Sequence, residues 1–332
     1  MFFKRKNRAA APVPPQPPGG VPAKYDEALG LAVVRFYSAA SLCFDKLRIE
    51  AMAGEGTAMP PVRHLTESIA CGVAIDIGPS YQRVTQKDLD DWGISFDEML
   101  TRVARLRCGA GIETVSVGGM AMVRDETGGP CLWLCPAAAE SLVGGRPIMV
   151  GQSRTCTLLA REDDSAALLL MAEYCRSGLD GEEWTESVTP TRWTGARWES
   201  TTWEQLGVPA ELGKAINLRH DAANYGRMRP ALKQWCSARE EAPITAAFQA
   251  YAKDGREISV AASIVDPDTE DNVIPKADRV TFAFTDDMST LALAWEVVAE
   301  RCELTPLGLT PEWYRVGSVP AREELDLLTV DR

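Results

Sequence analysis

The segment at residues 71–105, CGVAIDIGPSYQRVTQKDLDDWGISFDEMLTRVAR, constrains the fold more than any other part of the chain. Val73, Ala74, Ile75 and Ile77 make an apolar run interrupted by Asp76 and stopped by Gly78-Pro79. The run is too short for a helix and is closed by turn formers, so it predicts a strand. Ser95-Phe96-Asp97-Glu98 reads as a capping box, with the Ser95 hydroxyl accepting from the Glu98 amide and the Glu98 carboxylate from the Ser95 amide. Ile94 can staple onto Met99, and Leu100, Val103, Ala104 and Leu106 continue an apolar face. A strand joined by a short connector to a capped helix points to layered mixed structure.

Length sets the next limit. A chain of 332 residues favours two domains. The net charge of −12 argues against nucleic acid or an anionic membrane as partner, because either would be repelled by most of the surface. It suits a soluble protein or one that meets a basic partner. The nine cysteines are odd in number and without regular spacing, as expected of reduced, core-filling thiols in a cytoplasmic protein. Met1–Arg8 is basic but no apolar segment of a secretory signal follows it.

Along the chain, residues 1–24 are basic and then Pro/Gly-rich, the composition of a disordered tail. Leu29, Val33, Phe36, Ala40, Cys43, Phe44 and Leu47 recur at helical steps and predict one long amphipathic helix. Thr114–Val123 predicts a hairpin turning at Gly118-Gly119. Cys131–Cys135 reads as a short strand and Pro136–Leu142 as a short helix. Ile148–Val150 and Thr155–Ala160 read as paired strands. Asp164 or Ser165 then caps a helix apolar on nearly every side, which predicts burial all round. Arg192–Trp198 suggests a small hairpin within a segment holding Trp184, Trp193, Trp198 and Trp203. These tryptophans are candidates for a binding surface, with the plug of a domain seam as the plainer reading. Residues 209–238 look helical with a break at Pro230. Lys253-Asp254-Gly255 marks a hairpin, Val280–Phe284 a strand, and Thr285 or Asp286 the cap of a long helix reaching Cys302. The last residues, 305–332, read as a polar surface wrap. Residues 157–175 and 281–302 resemble each other as strand, acidic turn and helix, which would fit an internal repeat. The expected fold class is α+β: a tail (1–24), a first mixed domain (25–200) and a second (201–332), each with antiparallel hairpins.

The stretch Val73–Leu100 is similar to the YtpQ-like family of uncharacterised bacterial proteins, which carry a domain of unknown function. Thr85, Asp88, Leu89, Trp92 and Gly93 fill the family's connector pattern, and Ser95 the helix cap. The likeness covers about residues 60–175 and leaves 205–332 unexplained. It implies an aspartate-bearing strand leading to a capped helix, and no activity.

Asp76, Asp88, Asp90 and Asp91 form an acidic cluster that could hold a hard cation or do acid–base work. Without EF-hand spacing, a solvated turn is the simpler reading. Cys131 and Cys135 lack a second ligand pair for zinc, and neither His64 nor His220 falls in a metal or nucleophile motif. The glycine pairs match no phosphate-binding fingerprint, so no cofactor is expected. Leu218–Arg229 could bind an acidic partner, although a solvated helix face explains its charges as well. The leading expectation is a non-enzymatic cytoplasmic module that binds another protein. Its candidate residues are Asp76, Asp88, Asp91, Trp92, Trp193 and Trp198. The alternative is a hydrolase or metal-dependent enzyme built on Asp76 and Asp88–Asp91.

Overall fold

The computed structural model describes residues 21–330 other than 79, 110–111, 125–127, 155, 180–184, 254–255 and 267–270. Most of the expected tail, and Trp184, lie outside the described residues. The chain is an α+β protein, and its described residues form four sheets.

The first sheet comes from α1 (Tyr25–Leu31), β1 (Ala32–Ser38), α2 (Ala39–Ala53), β2 (Arg63–His64), β3 (Ile69–Asp76), β4 (Tyr81–Arg83), α3 (Gln86–Trp92) and α4 (Phe96–Gly109). β1 runs antiparallel along one edge of β3, and β2 and β4 share the other edge. The long helix expected over 29–47 is therefore a helix turn, a strand and a second helix. Val33-Val34 and Phe36-Tyr37 favour a pleated, buried strand over a helix, and every residue of β1 is buried. Ser38 ends it by capping α2, its Oγ accepting from the Ser41 amide at 3.1 Å.

The segment after β3 folds largely as read. Thr85 and Asp88 make a complete capping box for α3, and Gly93 closes that helix in the left-handed conformation at φ +67°. Ser95 Oγ accepts from the Glu98 amide at 3.2 Å, while the Glu98 carboxylate turns instead to Arg102.

The second sheet follows: β5 (Val115–Val117), β6 (Met120–Val123), α5 (Gly128–Cys131), α6 (Pro136–Val143), β7 (Pro147–Ser153), β8 (Cys156–Arg161), α7 (Ser165–Gly178), β9 (Thr191–Trp193) and β10 (Trp198–Ser200). Its order is β10-β9-β7-β8-β6-β5, antiparallel throughout. The hairpin at Gly118-Gly119 forms with positive φ at both residues. Residues 131–135 are not a strand: Cys131 ends α5 and a turn carries the chain to α6, whose first residue is Pro136. Asp164 caps α7 as expected, but Leu169 is 42% exposed, so that helix is buried on one face only.

Strand alternation divides the second sheet between two cores. Met149, Leu159, Ala121 and Val123 join Phe36, Ile75, Trp133 and Trp198 in the core shared with the first sheet. Ile148, Val150, Leu158 and Met122 face α7 together with Trp203, Leu206 and Ile216. Two of the flagged tryptophans fill cores: Trp198 is buried in the first cluster and Trp203 in the second.

α8 (Ala210–Ser237) is a 28-residue strut that runs through Pro230 without a break. Ile216 sits in the core under α7, while Tyr225, Met228, Leu232 and Cys236 pack with Leu47 of α2 and with Val273 and Trp313 farther along. The expected solvated face at Leu218–Arg229 is in large part packed, with Asn224, Tyr225 and Met228 buried.

The remaining elements are β11 (Ile244–Thr245), β12 (Phe248–Lys253), β13 (Arg256–Val265), β14 (Asn272–Pro275), β15 (Arg279–Phe284), β16 (Ser289–Ala294), α9 (Trp295–Arg301), β17 (Leu304–Pro306), β18 (Trp313–Val316) and α10 (Arg322–Val330). They form two sheets, β11-β14-β18-β17 and β12-β13-β15-β16, with β11–β14 and β13–β15 parallel. The long helix expected over 285–302 is instead a hairpin strand, β16, followed by the short α9. The Thr-Leu-Ala-Leu alternation suits a pleat, with Leu293 buried and Ala292 exposed. β15 turns into a strand where β8 turns into α7, so the two resembling segments fold differently.

Candidate functional site

The sequence-flagged carboxylates do not meet around a common point. Asp76 Oδ1 accepts from the Gly78 amide at 2.9 Å, an Asx turn that ends β3. Asp88 belongs to the α3 capping box, accepting from the Thr85 amide at 2.8 Å and its hydroxyl at 2.6 Å. Asp90 accepts from Gln86 and Asp91 from Lys87, each one helical turn away. Among the described residues, no group of three or more His, Cys, Asp or Glu is placed to hold a metal ion.

The flagged tryptophans are likewise held by local partners. Trp92 donates its indole N–H to the Pro22 carbonyl at 3.1 Å and so holds residues 21–24 against the first core. Trp193, Trp198, Trp133 and Phe36 form a chain of ring contacts at 5.3, 5.0 and 5.5 Å. Trp198 donates to the Trp133 carbonyl at 2.7 Å.

A different constellation converges where β1, β4, α2, the β7–β8 turn and α8 meet. Tyr37 and Ser38 end β1, and Phe44, Asp45 and Arg48 follow on α2. Arg83 ends β4, Arg154 lies in the β7–β8 turn, and Glu186 lies beside the end of β7, its amide donating to the Gln152 carbonyl at 2.7 Å. His220, Asn224 and Arg227 share one face of α8 by their spacing.

The centre is Glu186, which has no solvent exposure. Arg154 Nε donates to Oε1 at 2.8 Å, and the Ser38 amide and hydroxyl donate to Oε2 at 3.5 and 3.4 Å. Asp45 accepts from Arg83 Nη1 at 3.1 Å. Even so, burial outweighs the neighbouring guanidiniums and raises the Asp45 carboxyl above its usual range. Burial also raises the Tyr37 phenol, against the lowering pull of Arg83, Arg35 and Arg154.

Aromatic rings lie against several of these arginines. Arg83 lies 4.5 Å over Tyr37, Arg35 4.4 Å over Tyr81, and Arg227 4.5 Å over Phe44, with Arg48 5.6 Å from the same ring. Burial lowers the Arg227 guanidinium, and the nearby charges of Arg154 and Arg48 add to that lowering. The His220 ring is hydrogen-bonded to the backbone of Glu186 and Thr185, yet burial takes its pKa down to about 4, so it is neutral near pH 7. Asn224 Nδ2 lies 3.3 Å from the His220 ring, and Asn224 Oδ1 is buried with no hydrogen-bond partner among the described residues.

Among the described residues, the charges that weigh most on Tyr37, Asp45 and Arg227 are five arginines (Arg35, Arg48, Arg83, Arg154, Arg227) and two carboxylates (Asp45, Glu186). Such a surplus of planar guanidinium forks favours an oxyanion, because each fork can donate two parallel hydrogen bonds to one. Sequence reasoning found only the α8 portion, through the basic segment at 218–229. The other members come from four separate segments, and no spacing connects them.

No protein-family model, curated protein or solved structure matches the chain. Among the described residues, no helix is long and apolar enough to cross a membrane.

Proposed function

We propose that the protein is a non-enzymatic binding module that takes an acidic side chain or terminal carboxylate of a partner protein into the arginine cluster at the α2–α8 junction. The observation that carries this reading is the local surplus of guanidinium in a chain whose net charge is −12. A positive patch on an otherwise acidic surface selects its partner by charge, because misdirected acidic surfaces are repelled elsewhere. The half-exposed side chain of Arg154 and the exposed Arg48 put donors at the surface, and the stacked rings orient Arg83 and Arg227 before any ligand arrives.

The test is titration calorimetry of the full chain with a Glu/Asp-rich peptide, its amidated Gln/Asn counterpart, a phosphopeptide and inorganic phosphate. The expected result is binding of the acidic peptide that weakens with salt, is absent for the amidated peptide, and falls at least about tenfold in Arg227→Ala. Binding of phosphate-bearing probes alone would replace the carboxylate by a phosphate ligand. Absence of binding to every probe would overturn the reading.

A further inference from the structure

A second constellation, independent of the arginine cluster, brings three thiols together between the first two sheets. Cys108 lies near the end of α4, Cys131 ends α5, and Cys135 is the residue that caps α6. Cys108, Cys131 and Cys135 pack into the same core cluster, and the side chains of Cys131 and Cys135 weigh most on the Cys108 thiol. Cys135 Sγ also stands 4.0 Å from the carbonyl of Ala104, one turn before Cys108 on α4. None of the three is in a disulfide; Cys131 is wholly buried, whereas Cys108 and Cys135 are partly exposed.

We propose that Cys108 and Cys135 are a thiol-oxidation site whose product is an intramolecular disulfide joining α4 to α6. Ala104 and Cys108 lie one turn apart on α4, so the stretch of helix that meets Cys135 Sγ also carries Cys108, and the pair lies close enough for approach to the bond length of about 2.05 Å. Of the three, this pair combines proximity along α4 with access to a small oxidant, which the buried Cys131 lacks. The co-reactant is a hydroperoxide. One thiolate attacks the distal peroxide oxygen, forming a sulfenic acid and releasing an alcohol once a proton is taken up. The second thiol attacks the sulfenic sulfur, the S–S bond forms, and the hydroxyl leaves as water with that thiol's proton. Two thiols and one hydroperoxide thus become one disulfide, one alcohol and one water.

The thiols restrain one another. Contact with Cys131 is the largest influence on Cys108, which is pushed up to about 12, and Cys135 is raised by Cys108. Little thiolate is present near pH 7, so oxidation is slow there and accelerates about tenfold per pH unit on the alkaline side. The bond would matter because α4 packs on β1 and β3 while α6 packs on β6, β7 and β8. Oxidation would fasten the first sheet to the second.

The deciding experiment treats the folded, full-length chain with hydrogen peroxide, blocks remaining thiols, and maps peptides by mass spectrometry. The expected result is a Cys108–Cys135 cross-link as the main product. It should form faster at pH 9 than at pH 7, revert with dithiothreitol, persist in Cys131→Ser and disappear in Cys108→Ser. The wild-type map alone is decisive should a variant fail to fold. Recovery of both Cys108 and Cys135 as blocked thiols, or a cross-link through Cys131 as the main product, would overturn the proposal.

Discussion

The carboxylate of Glu186, sealed from solvent, rests against the guanidinium of Arg154 at 2.8 Å, and Arg154 is itself 42% exposed. One partner can therefore be removed without opening the core, whereas the other is held within it. Arg154→Ala strands a buried carboxylate that keeps, among the described residues, the Ser38 donors, and should cost about 3 kcal/mol, near the lower end for breaking a buried pair because Arg154 is partly hydrated. Adding Glu186→Gln removes the stranded charge and should recover about half of that loss. Urea denaturation of the two single variants and the double variant measures both terms, and a loss below about 1 kcal/mol in Arg154→Ala would mean that the pair is not coupled.

A second close approach lies under the same site. Gly151 of β7 faces Phe36 of β1, and a Cβ on Gly151 would stand 2.4 Å from the ring. Phe36 is 2% exposed and stacked on Trp133, so the ring has nowhere to retreat. Gly151→Ala should therefore destabilise by about 2–3 kcal/mol through overpacking. Placed together with Phe36→Leu it should cost less than the sum of the two single changes. Thermal unfolding of the set tests this, and strict additivity would show that the two sheets adjust independently.

How far the sequence could be read divides along the range of the forces involved. Local chemistry was legible: the strand ending at Asp76, the cap at Ser95, the hairpin at Gly118-Gly119 and the Asp164 cap of α7 each depend on a few neighbouring residues. The connector after β3 has local roles as well, since Thr85 and Asp88 start α3, Gly93 ends it and Trp92 ties it to Pro22. Two apolar runs misled because spacing at three and four residues also fits a strand followed by a helix. Val33-Val34 and the Ser38 cap were the signals that could have separated β1 from α2. The arginine cluster is a different case. Arg83, Arg154, Glu186 and Arg227 become neighbours only after the sheets and α8 have packed, so no window of the sequence contains them.

Pro230 offers a test of what the strut tolerates. It stands inside α8 at an exposed position, where its missing N–H leaves the carbonyl one turn earlier, at Gly226, without its usual helix donor. The helix nonetheless continues to Ser237, held by Met228, Leu232 and Cys236 in the core. Pro230→Ala should restore that hydrogen bond and stabilise the chain by roughly 1–3 kcal/mol. An unchanged or lower denaturation midpoint would show that the proline shapes the helix for its packing.

Two groups on α8 contribute to the pH dependence of stability near the site with opposite signs. Burial lowers His220 from its ordinary value of 6.5 to about 4, and raises Asp221 from 3.8 to about 6. Between about pH 4 and 6.5 the unfolded chain protonates His220 while the folded chain does not. Its contribution is complete above pH 6.5 and is lost as the pH falls toward 4. Between about pH 3.8 and 6 the folded chain keeps Asp221 protonated while the unfolded chain does not. That contribution is complete below pH 3.8 and is lost as the pH rises through 6. Each spans about 3 kcal/mol at most, and across pH 4–6 they nearly cancel. His220→Gln should expose the Asp221 limb, so that stability falls as the pH is raised from 4 to 6. Asp221→Asn should expose the His220 limb, with stability rising over pH 4–6.5. Urea titrations at half-unit pH steps read both slopes, and parallel profiles for the two variants would rule out this opposition.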